Sequence, residues 1–413
     1  DPRAIAPVGE PLRGHDDWVR AVVFGRVGGL DVLASAGGDG TVRVWDVSDP
    51  RAIAPVGQPL HGHTGTVTAV VFGQVGDIDL LATASADGTV QVWDASDPHD
   101  ITPVGQPLHG HTGTVTAVAF GQVGDIDLLA TASDDETARV WDASDPRAIT
   151  PLGEPLRGHT GPVWAVAFGH IALLATASED GTARVWDASD PHAITPAGEP
   201  LHGHTGTVTA VVFGRAGDID LLATAGTDRT ARVWDITSIV QQSHTAGTPV
   251  RLPSTAHHDT PAPAQPVPPD PRFQLARVQH GAGVWAVAFG RVGGLDVLAS
   301  AGGDGTVRVW DVSDPRAFAP VGEPLRGHTG RVRAVAFGRV GGLDVLATGG
   351  SDGTVRVWDV SDPRAFAPVG EPRRGHTSQV MAVAFGQVGG IALLATASFD
   401  GTVRVWDVSD PHV

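Results

Sequence analysis

The chain contains no cysteine, no tyrosine and a single methionine, Met381, and it holds neither lysine nor asparagine. Without cysteine there is no disulfide, no thiol nucleophile and no cysteine-ligated zinc site, and a reducing, cytoplasmic setting is expected. Without lysine there is no phosphate-binding loop, so Gly25-Arg26-Val27-Gly28-Gly29 reads as a loop between the first two strands. The missing types use AT-rich codons, which points to a GC-rich bacterial genome. No apolar run of about 18 residues is present to span a membrane as a helix, and no signal peptide opens the chain. Cations are scarce: 28 Lys and Arg stand against 46 Asp and Glu, a net charge of -18 that argues against nucleic acid and anionic membrane surfaces as partners. The chain opens Asp1-Pro2-Arg3 and is expected to be the C-terminal part of a longer protein.

What is present is repetition. Val-Trp-Asp recurs at Trp45, Trp93, Trp141, Trp186, Trp234, Trp310, Trp358 and Trp406, and most intervals are 48 residues. The units run 1–48, 49–96, 97–144, 145–189, 190–237, 270–313, 314–361 and 362–409. Within 49–96, an extended piece from Val56 to Leu60 leads to a turn at Gly62-His63-Thr64-Gly65. A small and β-branched run, Thr66 to Phe72, precedes a loop from Gly73 to Asp79. Two further runs, Leu80 to Ser85 and Val90 to Trp93, flank the tight-turn pair Asp87-Gly88. Four short strands per unit and no helical periodicity predict an all-β fold.

A Gly-His near the start and a Trp-Asp at the end of a four-stranded unit resemble the WD40-repeat family, and the resemblance covers all eight units. It implies a single closed β-propeller of four-stranded blades: eight by this count, with a ring of seven plus one displaced unit as the alternative. The opening segment, Val8 to Leu12, is expected to complete the last blade. Residues 238–269, with seven prolines, read as a flexible insertion. The 48-residue units resemble arrays of actinobacterial proteins, which implies an N-terminal effector module fused ahead of the ring.

The family carries a hydrogen-bonded tetrad in each blade, and each unit has its four residues. They are His15, Ser35, Asp39 and Trp45; His63, Thr83, Asp87 and Trp93; His111, Thr131, Asp135 and Trp141; and His159, Thr176, Asp180 and Trp186. The remaining sets are His204, Thr224, Asp228 and Trp234; His280, Ser300, Asp304 and Trp310; His328, Thr348, Asp352 and Trp358; and His376, Thr396, Asp400 and Trp406. Eight copies of a Ser/Thr-His-Asp set read as blade staples, not as catalytic triads. Indole donates, hydroxyl relays and neutral imidazole donates on to carboxylate, so each buried group is satisfied. The Gly of the Asp-Gly turn is replaced by Glu136 and Arg229, where strain is expected. No histidine outside the staples shows metal spacing, Asp77 and Asp79 read as a surface loop, and neither metal nor cofactor is expected.

The units differ at three places: the two residues flanking the first Val of the inner strand, and the residue before the staple Asp. The three tryptophans outside Trp-Asp, namely Trp18, Trp164 and Trp285, occupy these places, as do Met381 and Phe399. The expected function is a non-catalytic protein- or peptide-binding scaffold or sensor that uses one face of the ring. The candidate anchors are Trp18, Arg20, Trp285, Arg331, Arg333, Gln379, Met381 and Phe399 in blades six to one, with Trp164 as an outlying anchor. They suit a partner with aromatic or apolar and acidic groups. Thr66, Thr68, Thr114, Thr116, Thr207, Thr209 and Thr227 form the contrasting sector. Glycan stacking on the tryptophans is one alternative; an enzyme pairing Asp134 with Glu179 at the channel mouth is another.

Overall fold

The computed structural model describes residues 7–169, 172–239, 274–314 and 317–409. The β-branched and small residues of each unit build antiparallel sheets. In blade one the strands are Val19–Val27, Leu30–Gly37, Val42–Asp46 and Ala54–Leu60, paired in that order. The innermost strands of the remaining blades are Val67–Val75, Val115–Val123, Val163–Phe168, Val208–Ala216, Val284–Val292, Val332–Val340 and Val380–Val388. The second strand is the core of each blade. Leu80, Leu81, Ala82, Thr83 and Ala84 have no exposed surface, because the sheet is covered on both faces by its neighbours.

Eight blades close one ring, and the seven-blade alternative is not realised. Val8 donates its amide to Val405 O at 2.8 Å, and Leu12 exchanges hydrogen bonds with Val403 at 2.8 and 3.2 Å. The start of the chain thus pairs with the third strand of blade eight, Val403–Asp407, as its opening sequence predicts.

Side-chain packing repeats the same closure. A Cβ built on Gly25 would lie 2.3 Å from the ring of Phe72 in blade two, and one on Gly73 would lie 2.4 Å from Phe120 in blade three. The series continues to Gly386, whose missing side chain makes room for Phe24 of blade one. Only glycine lets each inner strand take its neighbour's phenyl ring at this approach.

Two expectations need correction. The predicted loop from Gly73 to Asp79 is largely strand: Gly73 pairs with Leu80, Gln74 with Asp79 and Val75 with Ile78. Only Gly76 and Asp77 turn, with Gly76 at φ 57°, so the two runs form a two-residue hairpin. The insertion was expected to start at 238, yet Ile239 is buried with Ile236 in the core shared by blades four and five. The rest of the Pro-rich segment, 240–269, lies outside the described residues. The fourth strand of blade five, Gln274–Gln279, follows it and pairs with Thr230–Asp235.

Candidate functional site

From the tryptophan of each Trp-Asp runs a hydrogen-bonded chain that is complete in seven blades and loosened in blade six. In blade two, Trp93 Nε1 donates to Thr83 Oγ1 at 3.2 Å, and that hydroxyl lies 2.8 Å from His63 Nε2. His63 Nδ1 lies 3.1 Å from Asp87 Oδ2. Burial lowers the histidine pKa, more than the carboxylate raises it, which keeps the imidazole neutral and lets Nδ1–H donate to Asp87. Burial alone would raise the Asp87 pKa, but donors including the Thr89 hydroxyl and the Thr64 and Thr89 amides hold it below the usual carboxylate range. The staple hydroxyls of Ser35, Thr83 and Ser300 have no exposed surface, so none can reach a substrate as a nucleophile.

Blade six departs from this pattern. His280 Nδ1 stands 3.6 Å from Asp304 Oδ1, against 3.0 Å for His15 and Asp39 and 2.9 Å for His159 and Asp180. The cause is local. The glycine before the staple histidine takes a positive φ in six of the other seven blades, as Gly14 does at 145° and Gly110 at 152°, Gly62 of blade two being the exception. Gln279 stands there in blade six and stays in the sheet opposite Thr230. Burial drives the His280 pKa down to about 4. The turns at Glu136 and Arg229 keep φ values of 67° and 71°, left-handed backbone held under side chains that disfavour it.

The inner strands carry the site. In every blade the pairing of the inner strand slips by one residue directly after its first Val, as between Val19 and Ala21 or Val284 and Ala286. The skipped residues are Arg20, Thr68, Thr116, Trp164, Thr209, Trp285, Arg333 and Met381. Each is the extra residue of a β-bulge, a device that re-aims a side chain at the edge of a ladder. The sequence pattern suggested simple alternation at these positions; the bulge interrupts it.

Where the bulge residue is threonine, it reaches the next blade. Thr68 donates to Val115 O, Thr116 to Val163 O and Thr209 to Val284 O, at 2.5, 2.5 and 3.1 Å. Thr68 and Thr116 are buried. These threonines are stitches between blades.

Where it is Arg, Trp or Met, it opens towards a depression of about 390 Å³ at the channel mouth. Arg20 lines this hollow from blade one and Trp164 with Glu179 from blade four; Trp285, Arg333 and Met381 come from blades six, seven and eight. Blade five adds Thr207, Thr209 and Thr227. Arg333 and Arg331 stand 5.2 and 5.4 Å from the centre of the Trp285 ring, within cation–π range. Arg333 also donates to Gln379 Oε1 at 3.1 Å. Burial lowers the Arg20 and Arg333 pKa values, and Arg331 and Arg20 push Arg333 further. Glu179 Oε2 accepts from Trp164 Nε1 at 3.3 Å.

The expected anchors therefore fall into two groups. Trp164, taken from sequence as outlying, lines the same hollow as Trp285, and blade five's threonines lie there too. Trp18, Phe399, Arg331 and Gln379 are not in its lining: the rings of Trp18 and Phe399 pack together at 4.3 Å between centres, and Arg331 and Gln379 reach it only through Trp285 and Arg333. Trp18 occupies the space that a side chain at Gly38 would need. Sequence reasoning missed the threonine two residues after each staple Asp, whose hydroxyl donates to that Asp, as Thr89 does at 2.7 Å and Thr137 at 2.6 Å. Its recurrence in all eight units was the available signal. Among the described residues no cluster of His, Asp and Glu has metal-binding geometry.

Comparison with known proteins matches this geometry. The family model for the WD domain, G-beta repeat matches residues 7–46, 55–94, 102–142, 150–187, 196–235, 273–311, 319–359 and 368–407. No curated protein matches the chain. Among solved structures, Sqt1 from Chaetomium thermophilum is similar at a TM-score of 0.72 and 20% identity, covering 98% of each chain. Chaetomium thermophilum Sqt1 bound to the N-terminus of the ribosomal protein L10 is similar at 0.71 and 22%, covering 96% of this chain and 98% of that one. At these identities the likeness concerns the fold.

Proposed function

The chain belongs to the WD40 family, and from that premise we propose that it is a non-catalytic module binding a protein or peptide in the mouth formed by its bulge residues. One observation carries this reading. Eight equivalent positions have the same backbone, and five of them replace an available inter-blade hydrogen bond with Arg, Trp or Met around one hollow. Such side chains are enriched in interface cores, and half-buried tryptophans facing an open hollow have no structural task there. A propeller of similar fold binds the N-terminus of a ribosomal protein, which supports a peptide as the class of partner.

The test is selection of binders from a random-peptide phage library on the full chain, repeated on Trp164→Ala and Trp285→Ala. Peptides selected by the native chain are expected to lose binding to both variants. Equal binding by the variants would overturn the assignment of the mouth.

A further inference from the structure

The mouth is divided by charge. On the side of blades one and seven stand the guanidinium groups of Arg20, Arg331 and Arg333, two of them stacked on Trp285. None has a carboxylate within ion-pairing distance among the described residues, unlike Arg291, which pairs with Asp296 at 2.9 Å. Exposed unpaired arginines are solvated, but Arg20 and Arg333 are partly withdrawn from water and Arg333 Nε is buried without a partner among the described residues. Three clustered cations in a chain of net charge -18 are a local inversion of the molecule's field.

Across the hollow stands the carboxylate of Glu179, while a second carboxylate, Asp134, lies outside the lining. Among the described residues Glu179 accepts only the Trp164 indole, and Asp134 Oδ1 is buried with no hydrogen-bond partner. The two sides stay apart: Asp134 acts on Arg20 through space without forming an ion pair. Blade five's threonines lie in the same lining and add hydroxyl groups to it.

We propose that the mouth recognises a peptide segment by two contacts of opposite sign, an oxyanion of the peptide held by Arg20, Arg331 and Arg333 and a cationic or N–H donor group held by Glu179. Planar guanidiniums fixed on an aromatic ring suit carboxylate or phosphate, which they bind through paired N–H groups. The acid-bearing end is thereby oriented towards blades seven and one, and the basic end towards blade four. An overall basic partner is drawn in by the acidic ring, while the acidic residue sets its orientation.

This rests on the peptide-binding reading, and one experiment separates the two. Peptides selected on the native chain are synthesised in four forms: as selected, with each acid replaced by its amide, with the acid replaced by phosphoserine, and with each Lys or Arg replaced by Gln. Calorimetry then measures them against the native chain, Arg20→Ala/Arg333→Ala and Glu179→Gln. The amide form is expected to bind the native chain about tenfold more weakly or worse, and the double variant should no longer distinguish acid from amide. Glu179→Gln should lose only the preference for Lys or Arg. The phosphoserine form distinguishes the two oxyanions, by binding more or less tightly than the carboxylate. Peptides without acids that bind all three proteins equally, yet fail on Trp285→Ala, would overturn the charge-divided mouth and leave peptide binding standing. Failure to select any peptide would overturn both.

Discussion

In blades two, three and five the bulge residue is a threonine whose hydroxyl reaches a carbonyl of the next blade, as Thr116 reaches Val163. In blades one, four, six, seven and eight the same backbone position carries Arg20, Trp164, Trp285, Arg333 or Met381, and none has a hydroxyl to offer that carbonyl. A hydrogen bond of this kind stabilises by about 1 kcal/mol. Five of the eight positions forgo it, and two of those five hold a partly desolvated arginine instead. Stability alone does not select that arrangement. Binding sites commonly sit where a fold gives up some stability, and the ring shows both choices side by side on one scaffold.

The staples are common to both sides, so acid should unfold the two together, and this is the largest effect expected. His15, His63, His111, His204 and His280 have pKa values lowered from 6.5, chiefly by burial. The unfolded chain therefore binds more protons. Each histidine's contribution is complete above pH 6.5 and is lost as pH falls through the folded value, about 4 for His280. For His280 alone that amounts to roughly 3 kcal/mol. The staple aspartates, also lowered, add a loss below their ordinary range near 3.8. Urea midpoints are expected to fall steadily from pH 7 to pH 4. A midpoint unchanged over that window would show that the staples do not hold neutral histidines.

Next in size is the split in binding. Trp285→Ala should weaken a selected peptide by about 2 kcal/mol, close to 30-fold, with little change in stability. Thr116→Val keeps shape but removes the hydroxyl. It should leave peptide affinity unchanged and cost about 1–2 kcal/mol in denaturation, because Val163 O is left without its donor in a buried position. If Thr116→Val weakens binding as much as Trp285→Ala does, the two sides of the mouth do not differ in task.

The repeats, the staples and the completion of the last blade were legible because each is written many times or sits at a chain end. Eight His, eight hydroxyls and eight Asp in phase leave little freedom of interpretation. The bulge was not legible. It inserts no unusual residue, and Val67-Thr68-Ala69 reads as ordinary alternation until the register slips. That slip explains why Thr68 and Thr116, read from sequence as part of the sector contrasting with the anchors, turned out to be stitches, and why Trp164 was placed apart from Trp285. Sequence order assigns neighbours along the ring, while side chains converging on a central channel meet across it. The loosened staple of blade six was visible as Gln279. Its consequence required knowing that the preceding glycine takes a positive φ in six of the other blades.

The smallest expected effect tests the comparison most directly, because it predicts a gain. Arg333 occupies a bulge position, its Nε is buried without a partner, and Arg331 and Arg20 repel it. In Arg333→Thr the new hydroxyl would stand as Thr116 does, one blade before Val380, whose carbonyl corresponds to Val163 O. The variant should be more stable than the native chain by about 1 kcal/mol while losing peptide binding. Arg333→Ala separates the two causes, since it relieves the repulsion but supplies no hydroxyl. Urea denaturation should therefore rank the three proteins with threonine first, alanine second and native last. If threonine is no better than alanine, the stitch does not transfer between blades. The five anchors would then carry no cost in lost hydrogen bonds, and the case for them would rest on their side chains alone.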